Sequence, residues 1–286
     1  MPTDPSSPAV SVCIPVHQGA AHLERALRSV LDQDVDLEVV VRDNGSTDGS
    51  SDVVRAVGDP RVRLVRVEET VPMAENWART VDLARADLVK IVCADDAVAP
   101  GALARQVATL TADPSLALAV GRTDMIDGGG RVLFANRHLP RTLLGAHPAA
   151  EVLRAVVRHG GNPIGPPAAV TFRREHYEAV GGVDGALLFT MDLDLWVRLL
   201  RHGGLHGGSA TAASFRIHTG SASAAATRAE FAVQREFTRR LIRDAEPLIR
   251  RRDRAIGVVG SYTALARRYG LFVLGGLRRP DPAEPR

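Results

Sequence analysis

The chain has 286 residues, 45% of them hydrophobic and 24% charged, with a formal net charge of only +3. That balance suits one large or two small globular domains with a substantial core. Only Cys13 and Cys93 are present, both inside predicted strands, which excludes a disulfide framework or a cysteine metal knuckle and points to a reducing cytosol.

Met1 to Pro8 carries neither a basic nor an apolar leader region, and no stretch approaches the ~18 apolar residues that cross a bilayer, so a cytoplasmic protein is expected. Lys90 is the single lysine, and this arginine bias reflects composition, so no nucleic-acid partner is expected.

Residues 9–127 alternate β-rich runs with amphipathic stretches. Ala9 to Val16, Leu37 to Asp43, Val62 to Val67, Leu88 to Ala94 and Leu116 to Val120 read as strands. His22 to Leu31 and Met73 to Ala86 read as helices, with Leu23, Leu27, Val30 and Leu31 on one face of the first and Met73, Trp77, Val81 and Ala84 on one face of the second. The alternation predicts an α/β fold with a mostly parallel sheet covered on both faces.

Beyond Asp127 the regularity fails. Gly128 to Gly130 predicts a hairpin turn and Gly160 to Pro167 a Gly/Pro-rich loop. A strand at Ala169 to Phe172, a helix from about Asp192 to His202 and a strand at Ala212 to His218 follow. The organisation expected is a Rossmann-like half over 1–127, a smaller second half over 128–221 and a basic helical tail over 222–286, linked through Ser221 to Ala226. Arg235, Arg239, Arg240, Arg243 and Arg250 to Arg252, interleaved with Phe231, Phe237, Leu241 and Ile242, give the tail a surface able to rest on an anionic membrane, although a solvated helix face explains the same pattern.

Three groups of residues can carry chemistry. Asp95 and Asp96 end the apolar run Leu88 to Ala94, where open α/β sheets place ligands, and adjacent carboxylates there suit a hard cation and phosphate oxygens as well as a plain turn. The loops after the first two strands, Pro15-Val16-His17-Gln18-Gly19 and Asp43-Asn44-Gly45-Ser46-Thr47-Asp48-Gly49, open on the same edge; Asp43 can accept a base N–H, although a turn feeding a helix capped by Thr47 or Asp48 explains the same residues. Neither a dinucleotide Gly-rich fingerprint nor a Walker loop is present. Asp192, in Thr190 to Leu200, lies on the apolar side of a helix's first turn and so needs a partner or a task, or serves the helix dipole, whereas Asp194 aligns with Arg198 at i+4. His218 closes a strand as a candidate metal ligand.

Taken in order, Val12 to Pro15, Glu38 to Gly49, Val92 to Asp96 with Pro100, Gly181 to Asp184 and Asp192 to Trp196 resemble the family 2 glycosyltransferases, inverting enzymes of the GT-A fold, over roughly residues 9–221. The resemblance implies a nucleotide-sugar donor (UDP-, dTDP- or GDP-linked) over the first-strand loops, lined by Pro15, Val16 and His17, with Asp43 at the base and Asn44, Ser46, Asn76 and Asp95 as further contacts. It implies Mg²⁺ or Mn²⁺ held by Asp95, Asp96 and His218 against the diphosphate, and Asp192 as the base that activates the hydroxyl of a glycan, lipid-linked or small-molecule acceptor. The smaller half, including Asn162 to Pro167, is then the acceptor side.

Four positions depart from the family pattern. Cys93 stands where many members carry a further aspartate, which implies a weaker grip on metal; Met191 replaces an acid before the base; Asn44 replaces a second aspartate; and His17-Gln18 replaces an aromatic-Asn pair. A sugar nucleotidyltransferase is the rival enzyme, but it should have a basic pyrophosphate loop after the first strand, and Pro15 to Gly19 has no basic residue. A catalytically idle nucleotide- or glycan-binding relative is the other alternative.

Overall fold

The structure is a computed structural model that describes residues 7–187, 190–217, 228–245 and 248–274. The chain opens as β1 (Val10–Val16), α1 (Ala20–Leu31), β2 (Leu37–Asn44), α2 (Ser50–Val57), β3 (Val62–Val67), α3 (Met73–Val81) and β4 (Leu88–Ile91). Every residue of β1 and β2 is buried, as expected of strands covered on both faces, whose sequences are near-continuous apolar runs. The helix predicted to reach Ala86 stops at Val81, where the amides of Leu83 and Ala84 turn back onto Thr80 and Val81.

The remainder comprises β5 (Ala97–Val98), α4 (Ala102–Ala112), β6 (Leu116–Ile126), β7 (Val132–Arg137), β8 (Gly145–His147), α5 (Ala149–His159), β9 (Val170–Arg173), α6 (Arg174–Ala179), α7 (Met191–Leu199), β10 (Gly204–Arg216), α8 (Arg228–Asp244) and α9 (Arg251–Leu274). All ten strands join one sheet in the order β3-β2-β1-β4-β9-β6-β10-β5, with β7 added on β6 and β8 on β10. β1, β2, β3, β4, β6 and β10 run in one direction; β5, β7, β8 and β9 oppose them. The predicted Gly128 to Gly130 turn joins β6 to β7, closed by the Asp127 amide on the Arg131 carbonyl at 3.0 Å.

Side-chain alternation divides the core between the two faces. Val12 and Ile14 pack with Leu23, Leu27 and Val30 of α1 and Leu103 and Leu110 of α4. Cys13 and Ile91 face the other way, toward Trp77 of α3, Val156 of α5, and Leu195, Trp196 and Leu199 of α7. Pairing of Val16 with Asp43 and of Asn44 with Val67 brings the carboxyl ends of β1, β2 and β3 level, so the loops after them open on one edge.

Two elements are longer or more embedded than sequence suggests. β10 begins eight residues before the predicted Ala212, in a Gly/Ala/Ser stretch of low β propensity. Small residues are required there: a Cβ on Gly207 would lie 2.0 Å from the Leu143 carbonyl oxygen. The basic tail is packed against the body. Phe237 and Leu241 of α8 join the α5–α7 core, and α9 approaches α5 so closely that a Cβ on Gly260 would sit 2.4 Å from the Arg158 carbonyl oxygen. Asp253 of α9, fully buried, accepts from Arg158 Nε at 2.6 Å. Ile256, Val258, Val259 and Tyr262 remain on the exposed side of α9. Among the described residues, no helix is long and apolar enough to cross a membrane.

Candidate active site

The two predicted donor loops are tied to each other. His17 Nδ1 lies 3.0 Å from the Asn44 carbonyl oxygen, the Gln18 amide donates to Ser46 Oγ at 3.0 Å, and Gln18 Oε1 accepts from the Thr47 amide at 3.1 Å. Gln18 adopts φ +52°, a left-handed conformation that costs a non-glycine residue energy and persists where surrounding contacts fix it. Pro15 and Val16 belong to buried β1; His17 begins the exposed part of the loop.

Asp43 is 1% exposed. One of its carboxylate oxygens accepts from the Ser46 amide at 2.9 Å and the other from Ser51 Oγ. Asp43 therefore shapes the turn that presents Ser46 and Thr47, and any base contact there uses a lone pair left over from those two bonds. Asn44 fastens the β3–α3 loop by accepting from the Val71 amide at 3.0 Å and donating to the Val71 carbonyl at 2.8 Å. Asn76 sits beneath, where its Oδ1 accepts from Arg42 Nη1 at 2.5 Å and its Nδ2 donates to the Val16 carbonyl at 3.4 Å. Burial, followed by the nearby charge of Arg79, lowers the Arg42 pKa. Sequence reading passed over Arg42, though a charge directly after the apolar run Val39 to Val41, inside a strand expected to be buried, was a usable signal.

The acidic motif is a tight turn: the Asp96 amide donates to the Cys93 carbonyl at 3.1 Å. Cys93 Sγ and one carboxylate oxygen each of Asp95 and Asp96 lie within 4.8 Å of one another. Asp96 is 2% exposed; its Oδ1 accepts from the Arg216 amide at 3.0 Å, and its Oδ2 is buried with no hydrogen-bond partner among the described residues. Burial first and the Asp95 charge second push the Asp96 carboxyl well above the usual range, partly opposed by Arg216. An ionised carboxylate oxygen with no donor is costly in the interior. A divalent cation would satisfy it, so the donor set fits a metal.

Arg216, at the end of β10, locks the turn in place. Its Nε donates to the Asp95 carbonyl at 2.9 Å, and its Nη1 reaches the carbonyls of Asp127 at 2.9 Å and Gly128 at 3.0 Å. No local sequence signal marks Arg216, because its partners are distant in the chain. His218, two residues on, lies outside the described residues, as does the Ser221 to Ala226 link.

Asp192 stands at the start of α7. Its Oδ2 accepts from Asn162 Nδ2 at 2.9 Å and its Oδ1 from the Leu193 amide at 2.7 Å. Asn162 also accepts from the amides of Ile164 and Gly165 and donates to the Gly165 carbonyl, which in turn accepts from Trp196 Nε1 at 3.2 Å. The Gly/Pro-rich loop and the apolar face of α7 thus fix one carboxylate. Asp194 pairs with Arg198 at 2.7 Å, the i+4 ion pair expected of it. Asp192 also faces the acidic turn: besides burial, the Cys93 thiol pKa is raised by Asp96, Asp95 and Asp192. The structure therefore brings Asp192 into the electrostatic neighbourhood of Cys93, Asp95 and Asp96.

A mostly parallel sheet with helices on both faces and polar loops gathered at its carboxyl edge is a GT-A-like fold. Residues 11–181 match glycosyl transferase family 2, more than half of the chain, and the chain belongs to that family. The uncharacterized protein MT1568 of Mycobacterium tuberculosis is 32% identical over 203 residues, which cover 69% of this chain and 63% of that protein. The chain thus spans less than two thirds of that relative. Among solved structures, S. aureus TarS 1-349 in complex with UDP-GlcNAc superposes with a TM-score of 0.62 at 12% identity, covering 94% of this chain and 83% of that one. The mannosyltransferase PcManGT of Pyrobaculum calidifontis, in complex with GDP-Man and Mn²⁺, gives 0.57 at 20% identity, covering 96% and 86%. At those identities the likeness establishes the fold.

Proposed function

We propose that this member of glycosyl transferase family 2 is a glycosyltransferase that moves a sugar, with inversion, from a nucleoside-diphosphate sugar to an acceptor hydroxyl, with Asp192 as the general base. The observation that carries this reading is a buttressed carboxylate, Asp192, fixed by Asn162 and the Leu193 amide and close enough to the Cys93–Asp96 turn for its charge to act on Cys93. The nucleotide sugars bound by TarS and PcManGT, proteins of the same fold, support a UDP-, dTDP- or GDP-linked donor.

In this mechanism the loops carrying Pro15, Val16, His17, Asp43, Asn44 and Ser46, with Asn76 beneath them, hold the nucleoside. Asp95 and Asp96 hold Mg²⁺ or Mn²⁺, with His218 as a further ligand. The cation, when bound, neutralises charge that develops on the diphosphate oxygens, so the leaving group needs no proton. Asp192 accepts the proton of the acceptor O–H as that oxygen bonds to the anomeric carbon. The bond from the anomeric carbon to the diphosphate oxygen breaks on the opposite face, its electron pair leaving with the nucleoside diphosphate. Asn162 to Pro167 border the base, and so the acceptor is expected against this loop.

Replacing Asp192 by Asn keeps the side chain's shape and removes the base. Transfer should fall by two to four orders of magnitude, the usual contribution of a positioned general base, while stabilisation by UDP or GDP in a thermal-shift assay persists. Near-normal turnover in the variant would reject the assignment.

A further inference from the structure

We infer that Cys93 is itself a cation ligand, making the Cys93–Asp96 turn a mixed sulfur and oxygen site that favours thiophilic divalent ions over Mg²⁺. The inference rests on reading Asp95 and Asp96 as a cation site, and goes beyond it by giving the thiol a place in the coordination shell. From sequence alone, the cysteine counts as a missing carboxylate. In the structure it counts as a different ligand.

The first argument is geometric. The turn closed by the Asp96 amide on the Cys93 carbonyl sets the first, third and fourth side chains around one point, and their ligand atoms lie within 4.8 Å of one another. Bonds of about 2.3 Å to sulfur and about 2.1 Å to a carboxylate oxygen let one ion span about 4.4 Å, so a small inward shift closes the site. A second observation is independent of the cysteine: among the described residues, buried Asp96 Oδ2 has no hydrogen-bond partner, whereas Oδ1 is satisfied by the Arg216 amide. An anion without a donor at that depth calls for a cation.

The third argument concerns the sulfur. Cys93 is half-buried and in no disulfide, and the chain's other cysteine, Cys13, is fully buried in β1 with its thiol directed at the Thr80 carbonyl. Thiolate ligands select softer ions, whereas Mg²⁺ prefers an all-oxygen octahedron. A cysteine in this shell therefore shifts selectivity and need not abolish binding.

Titration of the whole chain with Co²⁺ tests this directly. A bound thiolate gives a sulfur-to-cobalt charge-transfer absorption in the near ultraviolet. The band is expected in the wild type and in Cys13→Ser, and should vanish in Cys93→Ser. As a second readout, Cys93→Asp should lower the ratio of Cd²⁺ to Mg²⁺ affinity, measured by competition, at least about tenfold, at the low end of what altered metal-site contacts produce. Wild-type protein that is stabilised by Co²⁺ without showing the band, or an unchanged affinity ratio in Cys93→Asp, overturns the thiol ligand and leaves the carboxylate site standing. Failure of Co²⁺, Mn²⁺ and Mg²⁺ all to stabilise the wild type in a thermal-shift assay, with and without UDP or GDP, overturns both.

Discussion

Arg216 holds three separate pieces of chain together, so its loss should be felt in both stability and the acidic turn. The residue is 1% exposed, and its guanidinium donates to the carbonyls of Asp95, Asp127 and Gly128. Hydrogen bonds from a charged donor are worth about 1.5–3 kcal/mol each. The sum is an overestimate, because burial already lowers the Arg216 pKa, a sign that the charge itself is held at a cost. Removing one partner of a buried charged network typically costs about 3–5 kcal/mol, and Arg216→Met is expected in that range. With a urea m-value of about 2–3 kcal/mol/M, the unfolding midpoint should fall by roughly 1–2 M. Arg216→Lys keeps the charge but lacks the planar fork that reaches carbonyls on different segments, so it should recover only part of the loss. The backbone amide that holds Asp96 Oδ1 survives either substitution, and the turn should loosen chiefly at Asp95. In transfer assays this should appear as a higher Mn²⁺ concentration for half-maximal rate. A midpoint shift equivalent to less than about 1 kcal/mol, the range of ordinary surface substitutions and small losses, would refute the clamp.

Asn162→Ala removes the donor that fixes Asp192 Oδ2, and should lower kcat about 10- to 100-fold, consistent with misplacement of a catalytic group, while the donor KM stays within about twofold; an unchanged kcat would show that Asp192 does not need this anchor. Lys90 is fully buried, and burial lowers its pKa to about 7, although its ammonium donates to the carbonyls of Ala168 and Val170. A base whose folded pKa lies below its unfolded value binds more protons when unfolded, so its contribution to stability should rise with pH between about 7 and 10. Urea midpoints of wild type and Lys90→Met measured across that window should therefore diverge by the equivalent of roughly 4 kcal/mol, at about 1.4 kcal/mol per pKa unit; parallel profiles would show that Lys90 is not held in this way.

The sheet was legible because its physics is local. The middles of β1 and β2 are buried on both faces, and their mostly apolar runs Val10 to Ile14 and Val39 to Val41 say so without tertiary information. β10 was half hidden for the opposite reason: between β6 and β8 its backbone comes so close to the Leu143 carbonyl that small residues are required, and these carry no strand signal. The docking of the helical tail was hidden for a related reason. Arginines and scattered apolar residues describe a solvated helix equally well, whereas the features that dock α9 on α5 are Gly260 and buried Asp253, neither of which stands out in a helical pattern.

The same distinction governs the candidate site. Asp95, Asp96 and Asp192 could be singled out because each breaks a local rule, a carboxylate where an apolar residue or plain turn would serve. What these residues do to one another could not be read, since it depends on contacts across long sequence separations: Arg216 on Asp95 and Asp96, Asn162 on Asp192. Cys93 shows the consequence most clearly. A residue-by-residue reading registers the absence of a carboxylate and concludes that binding weakens. The three-dimensional arrangement instead sets the sulfur within 4.8 Å of a carboxylate oxygen of Asp96, whose Oδ2 has no hydrogen-bond partner among the described residues. The relevant chemical quantity then changes from the number of acidic ligands to their softness, and the expected effect changes from a loss of affinity to a change in which metal is bound.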